Sequence, residues 1–264
     1  MVATVTHLHL NPIECRVPLL ATALGLSLLG SCGGLLVASS LLLFTHRVRT
    51  RFVPWLVSYA VGALLGVALL ALLPEALETL PPSTVFGTLL AGILTFFVFE
   101  KLVLLRHCHT DQCQVHGATV PLVLVGDAFH NFIDGAIICT AVLTSIPLGI
   151  NTAIAVAAHE IPQEVGDVAI LLAAGYSRGG ALLLNLVSGG SGLVGALVAY
   201  LAVGFVPGIR PFILAFSSAS LLYIAMSDLI PDLHRGQIDA SGVRQVILIA
   251  AGIFTIVGFE KLVG

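Results

Sequence analysis

Eight long apolar runs constrain this chain more than any other feature. They lie at about residues 17–44, 53–79, 84–105, 118–144, 148–175, 179–204, 208–232 and 243–263. A membrane span needs about 20 apolar residues, and each run reaches that length. Charged residues make up 9% of the 264 and the mean hydropathy is +1.07, whereas a soluble domain carries about 25% charge. A water-soluble globule is excluded. Helices are expected in every span, because an open strand edge leaves backbone groups unsatisfied in lipid. The expected fold is therefore an all-α integral membrane protein of eight transmembrane helices, a single transmembrane domain over residues 1–264 with the lipid bilayer as its surroundings.

Smaller features narrow the class further. The net charge is −3 with no long basic stretch, so no nucleic-acid partner is expected. Cys15, Cys32, Cys108, Cys113 and Cys139 are odd in number, and their spacing implies no disulfide framework. The first fourteen residues carry no Lys or Arg, so the first run is expected to remain as a span instead of serving as a cleaved leader. With the first loop inside, Arg47, Arg49, Arg51, Lys101, Arg106, Arg178, Arg235 and Arg244 fall on the cytoplasmic side, and only Arg16, Arg210 and Lys261 fall outside. Both termini are then expected outside the cytoplasm. The expected location is the cell membrane, the inner membrane if the source is bacterial.

The chain also repeats itself. Residues 91–103 (AGILTFFVFEKLV) match residues 251–263 (AGIFTIVGFEKLV) at nine of thirteen positions, and LLPEAL around Pro74 pairs more loosely with DLIPDL around Pro231. The third run thus corresponds to the eighth and the second to the seventh. A displacement of five spans is odd, so the copies are expected to point in opposite directions. Inverted repeats are characteristic of alternating-access carriers, whose site lies near the midplane at the repeat interface.

The fourth and fifth runs lie between the repeats and hold five of the fourteen acidic residues. The fourth contains GDAFHNFIDGA, with Asp127, His130, Asn131 and Asp134. The fifth contains AAHEIPQEVGDVA, with His159, Glu160, Gln163, Glu164 and Asp167. Residues three and four apart share a helix face, so each run carries a polar stripe. One Asn in a span is ordinarily an interhelical hydrogen bond. Nine polar groups on two neighbouring helices imply function, because ionisable groups at membrane depth are costly. Imidazole with carboxylate suits divalent zinc, iron, manganese or cadmium, and the absence of Cys and Met from the cluster argues against copper(I). Pro162 cannot donate to the Ala158 carbonyl, which would free that oxygen toward an ion.

HNFIDG followed by HEIPQEVGD on consecutive spans resembles the paired signature of the ZIP (Zrt-, Irt-like) metal-ion transporters, whose usual forms are HNFxDG and HExPHExGD. The resemblance implies eight spans in a 3+2+3 arrangement with inverted outer repeats, outside termini, and homodimers. It implies transport of a divalent metal ion into the cytoplasm, zinc first and Fe2+, Mn2+ or Cd2+ after it, as substrate and not as cofactor. His130, Asp134, His159 and Glu164 would bind the ion directly. Asn131 and Glu160 would serve a neighbouring second position, with Asp134 and Glu164 able to bridge. Gln163 stands where the family has a second His, and its amide oxygen is a weaker ligand. The Ser-Gly-rich sixth span, LVSGGSGLVG, has no Glu where some relatives carry one. Asp228, in AMSDLIPD, resembles an acidic position lining the family's permeation route, and Asp127 and Asp167 are expected to line the same pathway.

Loop 106–117 reads RHCHTDQCQVHG. His107, Cys108, His109, Cys113 and His116 are expected to collect metal loosely on the cytoplasmic side, since their spacing is unlike a zinc finger. Glu75 is ambiguous between pathway and interface, and Glu100–Lys101 with Glu260–Lys261 reads as a repeated interfacial pair. The small residues Gly62, Gly66, Gly189, Gly190, Ser191, Gly192 and Gly195 are expected to let helices approach closely. Two other functions share these ligands. An intramembrane zinc metalloprotease would use His159-Glu160 as the start of an HExxH motif, although Gln163 replaces the second His. A metal-gated channel or sensor would use the whole set.

Overall fold

The computed structural model describes residues 12–42, 46–105, 119–234 and 242–263. The loop ligands His107, Cys108, His109, Cys113 and His116 therefore lie outside the described residues. Among the described residues every element is helical. These are α1 (Pro12–Leu42), α2 (His46–Val67), α3 (Leu73–Thr79), α4 (Pro82–Leu105), α5 (Thr119–Thr144), α6 (Ile146–Ala173), α7 (Arg178–Gly189), α8 (Ser191–Phe205), α9 (Arg210–Tyr223), α10 (Ile230–His234) and α11 (Gly242–Val263). Single π-helical turns, Ala68–Leu72 and Ile224–Leu229, join α2 to α3 and α9 to α10 without a break.

Seven segments among the described residues are long and apolar enough to cross a membrane. The 28-residue α6 is not one of them. Glu160, Glu164 and Asp167 interrupt its hydropathy, and the first two are buried against other helices. Its start is set by Ser145, whose Oγ accepts from the Leu148 N–H at 3.2 Å, with Pro147 in the first turn where no N–H is needed. Helix α6 continues through Pro162, which has no N–H to offer the Ala158 carbonyl. Loss of one backbone bond is tolerated where packed neighbours hold both flanking turns. The sixth apolar run is instead two helices, interrupted at Gly190.

The helices form two groups. In one, α1, α5, α6, α7 and α8 pack together, with α5 on α8 and α1 on α6 as the broadest interfaces. In the other, α2 pairs with α11 and α4 pairs with α9. The groups meet chiefly where α2 touches α6, with smaller contacts of α9 on α5 and α11 on α6. All nine polar residues of the two stripes lie on α5 and α6, inside the first group.

Internal duplication is visible in the packing. A Cβ on Gly252 of α11 would meet the Tyr59 carbonyl and the Gly62 backbone of α2. A Cβ on Gly92 of α4, its repeat counterpart, would meet Ala219 and Phe216 of α9. Gly92 and Gly252 are related by a 160-residue shift, and a shift of 157 carries Tyr59 to Phe216, Gly62 to Ala219 and Pro74 to Pro231. Each π turn ends two residues before its repeat proline. A proline lacks the N–H that would continue the α ladder, so the extra residue is accommodated at that point in both copies.

Close approach is tightest between α5 and α8, where a Cβ on Gly195 would sit 1.8 Å from the Phe132 carbonyl oxygen. Gly195→Ala is expected to destabilise the protein by about 1–3 kcal/mol or more through overpacking. Gly87→Ala, where the added methyl meets nothing within 4 Å, is expected to be neutral or slightly stabilising. Thermal melting of the two variants in detergent distinguishes the cases.

Candidate metal centre

Helix periodicity puts His130 and Asp134 one turn apart on α5, and His159 and Glu160 side by side on α6. Packing of α5 on α6 then brings one donor atom from each of the four within 4.8 Å of one another. The Nε2 atoms of His130 and His159 are 2.9 Å apart, and Asp134 Oδ2 lies 3.0 Å from His159 Nε2 and 3.4 Å from His130 Nε2. Glu160 Oε1 is 3.6 Å from His130 Nε2 and 3.7 Å from His159 Nε2. A tetrahedral ion with ligand bonds of about 2.1 Å has ligand–ligand edges of about 3.4 Å. These separations match such a polyhedron.

Tautomer and orientation are held from behind. His159 Nδ1 lies 3.1 Å from the Ala155 carbonyl, one turn back on α6. A carbonyl only accepts, so Nδ1 carries the proton and donates, leaving the Nε2 lone pair facing Asp134 and His130. The two rings meet edge to face at 82°. His159, Asp134 and Glu160 are buried, while His130 keeps 16% of its side chain exposed. Asp134 Oδ1 and both Glu160 oxygens have no hydrogen-bond partner. Two buried carboxylates this close repel each other, and unpaired buried oxygens are costly. A cation relieves both problems together.

Asp127 organises the amides beside this centre. Its Oδ1 accepts from Asn131 Nδ2 at 3.0 Å and from Gln163 Nε2 at 2.9 Å, and the Asp127 carbonyl accepts from Asn131 at 3.2 Å. With its N–H2 group pinned, Asn131 turns its unpaired Oδ1 toward Gly189 of α7. Gln163 is thereby tied to Asp127, and no bond joins it to the imidazole pair. Glu164 is buried but outside the four-donor group, beside Asn185 of α7. Asp167 lies within electrostatic range of Asp127 and Glu164.

Asp228 lies apart, at the π turn following α9, on a cavity of about 170 Å³ between α4, α5 and α9. His130, Glu100, Tyr223 and Asp228 are among its lining residues. The Tyr223 hydroxyl donates to Glu100 Oε2. Glu100, read from the sequence as an interfacial charge, thus also lines a cavity. The usable signal was the repeat, because the segment that holds Glu100 packs on the segment that holds Asp228. Asp127 was legible as part of a stripe, yet its role in holding two amides required the fold.

The family model described as "ZIP Zinc transporter" matches residues 105–260. Zinc transporter ZIP13 of Pongo abelii is 35% identical over 223 residues, covering 79% of this chain and 67% of that protein. Zinc transporter ZIP13 of Homo sapiens is 32% identical over 262 residues, covering 79% of this chain and 71% of that protein. Zinc transporter ZIP4 of Homo sapiens is 31% identical over 256 residues, covering 71% of this chain and 39% of that longer protein.

Removing the Asp127 carboxylate frees both amides. Asp127→Ala is expected to weaken binding of a divalent ion by about 10–100-fold, the usual cost of losing a ligand-orienting partner. Titration calorimetry of the detergent-solubilised protein with zinc reads this directly, and unchanged affinity would refute the positioning role.

Proposed function

The chain belongs to the ZIP zinc transporter family, and from that premise we propose that it carries zinc across a membrane by alternating access at the centre formed by α5 and α6. It is a transporter and not an enzyme, and the metalloprotease reading is not favoured. Gln163, at the position of the second His of an HExxH motif, is spent on Asp127. The observation that carries the proposal is the convergence of His130, Asp134, His159 and Glu160 on one point inside the bundle.

In this reading the ion exchanges its water for the two Nε2 atoms and the two carboxylates. Asn131, Gln163 and Glu164 supply oxygen at the neighbouring position. The ligands belong to the group of α1, α5, α6, α7 and α8, so movement of that group against α2, α4, α9 and α11 carries the ion with it. The arrangement is eight spans as 3+2+3, with α6 as the remaining span, shielded from lipid by its neighbours. The paired π turns and the Gly92/Gly252 contacts support inverted outer repeats. Both termini lie outside the cytoplasm, in a cell membrane, as the Lys and Arg distribution favours. Assembly as a homodimer follows from the family resemblance, and Fe2+, Mn2+ and Cd2+ are the alternative cargoes that the donor set admits.

The cavity from His130 to Glu100 and Asp228 is the route by which the ion leaves. It lies at the boundary between the two helix groups, where relative motion widens or closes it. Asp167 continues the acidic lining, and the loop 106–117 ligands collect ions beyond it. Binding must be tight enough to select and weak enough to release. An amide at Gln163 in place of imidazole shifts this balance toward release.

Purified protein in proteoliposomes is expected to take up zinc saturably. His130→Ala or His159→Ala is expected to lower uptake by about 100-fold or more, beyond the loss from an orienting partner alone. Absence of uptake by the native chain, or unchanged uptake in both variants, would defeat the proposal. Linear, non-saturating flux would favour the channel reading. Glu100→Gln combined with Asp228→Asn is expected to lower the maximal rate severalfold while leaving zinc affinity at the α5–α6 centre unchanged, as measured by uptake kinetics alongside calorimetry.

A further inference from the structure

The single tryptophan of the chain sits where arginines from two different helices meet. The Arg51 guanidinium, one turn earlier on α2, lies 5.8 Å from the centroid of the Trp55 ring, and the Arg244 guanidinium reaches the same ring from α11 at 5.2 Å. Phe52 tilts against the indole at 5.1 Å and 56°. The apolar spans that hold these residues begin at Arg51 and at Gly242, so both guanidiniums stand at the depth of lipid headgroups. Indole rings favour that level, with an apolar body toward hydrocarbon and an N–H toward water.

Charge at this corner is unbalanced. Arg47, Arg49 and Arg51 fall within the first six residues of α2, and neither α2 nor α11 has an acidic residue in its first turn. Among the described residues, the carboxylate that α10 brings up is Asp232, next to Leu233, whose carbonyl accepts from Gln245 Nε2 at 3.5 Å. One carboxylate does not offset this set of arginines, and two guanidiniums gathered at one indole repel each other. Stacking occupies the face of a guanidinium and leaves its edge N–H groups for an anion. That planar fork suits a phosphate better than a lysine ammonium does.

The neighbouring surface is apolar. Val243, Ile247 and Phe254 of α11 are 74%, 61% and 71% exposed, and offsets of four and eleven residues return to nearly the same helix face. The cleft between α2 and α11, lined by Pro54, Trp55, Ser58, Arg244, Gln245 and Leu248, is narrow, so a ligand lies across its mouth and not inside it. We propose that Arg51, Trp55 and Arg244 form a binding site for an anionic phospholipid, its phosphate held by the two guanidiniums and an acyl chain laid along the Val243–Phe254 face. Basic sites between membrane helices hold acidic headgroups by the same combination. The lipid bridges α2 and α11, in the helix group that carries none of the four converging donors. The site goes beyond the transport reading and does not depend on it.

Trp55 is itself the probe, because its fluorescence reports only this corner. The purified full chain is placed in phosphatidylcholine vesicles containing phosphatidylglycerol, with bromine on the acyl chains of one lipid or the other as a contact quencher. Brominated phosphatidylglycerol is expected to quench about tenfold or more effectively than brominated phosphatidylcholine at equal mole fraction. Arg51→Gln and Arg244→Gln are each expected to lower that preference about fivefold, the worth of one basic side chain near an acidic membrane surface. Arg178→Gln, at the start of α7 in the other helix group, is expected to leave it unchanged. If Arg244→Gln does not fold, the exposed Arg51 decides the matter through Arg51→Gln. Equal quenching by the two lipids, or an equal loss in all three variants as attraction to surface charge alone would give, would overturn the site. Reversal of the quenching by inorganic phosphate, but not by chloride at matched ionic strength, would assign the arginines to a free anion and overturn the lipid.

Discussion

Two carboxylates and two imidazoles buried against one another, in a chain otherwise made for lipid, set the terms for the rest of this structure. Charges at membrane depth are costly, and a buried group without its partner is more costly still. The chain tolerates the set because each member is held where a cation would join them. His159 is turned by the Ala155 carbonyl, Asn131 and Gln163 are turned by Asp127, and Asp134 is drawn between the two rings. The surrounding helices are the shield that makes such a centre tenable, and α6, too polar to face lipid along its length, depends on that shield.

Division of the helices into two groups follows from the same requirement. A site that releases its ion to either side needs one body to hold the ligands and another to occlude them. Here the four converging donors lie on α5 and α6, and the opposing body is built from two interfaces, α2–α11 and α4–α9. Glycine at position 252 faces the α2 backbone and glycine at position 92 faces the Ala219 side chain, so both interfaces are close at the corresponding place. Where the two bodies meet lies a cavity lined by His130, Tyr223 and Asp228 among others. The π turns near Pro74 and Pro231 sit in the second body, and Ile224 and Asp228 of the later one line this cavity.

Much of this was readable before any coordinates. Length and hydropathy made the chain a bundle of membrane helices, and periodicity placed His130 with Asp134 on one face. Small residues such as Gly62 and Gly195 signalled close helix contacts. Other features were not legible, because they arise between segments distant in the chain. Nothing in the local pattern distinguishes Glu160 from Glu164 as the neighbour of His159 Nε2. The two share a helix face and differ by one turn, about 6 Å along the axis, so the depth at which α5 and α7 meet α6 decides which carboxylate each of them faces. Nothing in the sequence set Asn185 apart, and Glu100 read as a charge at an interface. Each acquired a role only when packing set it opposite a specific partner.

The amino-acid order alone determined the helical membrane class, the duplication, and the choice of nitrogen and oxygen donors. These are properties of composition and of short-range spacing along one helix. Tertiary packing alone decided which of those donors share a point, which are held in reserve by Asp127, and where the cavity from His130 opens. The rotation and depth of each helix are set by contacts with its neighbours, among them the glycine-to-carbonyl approach of α8 on α5, and no single segment contains that information.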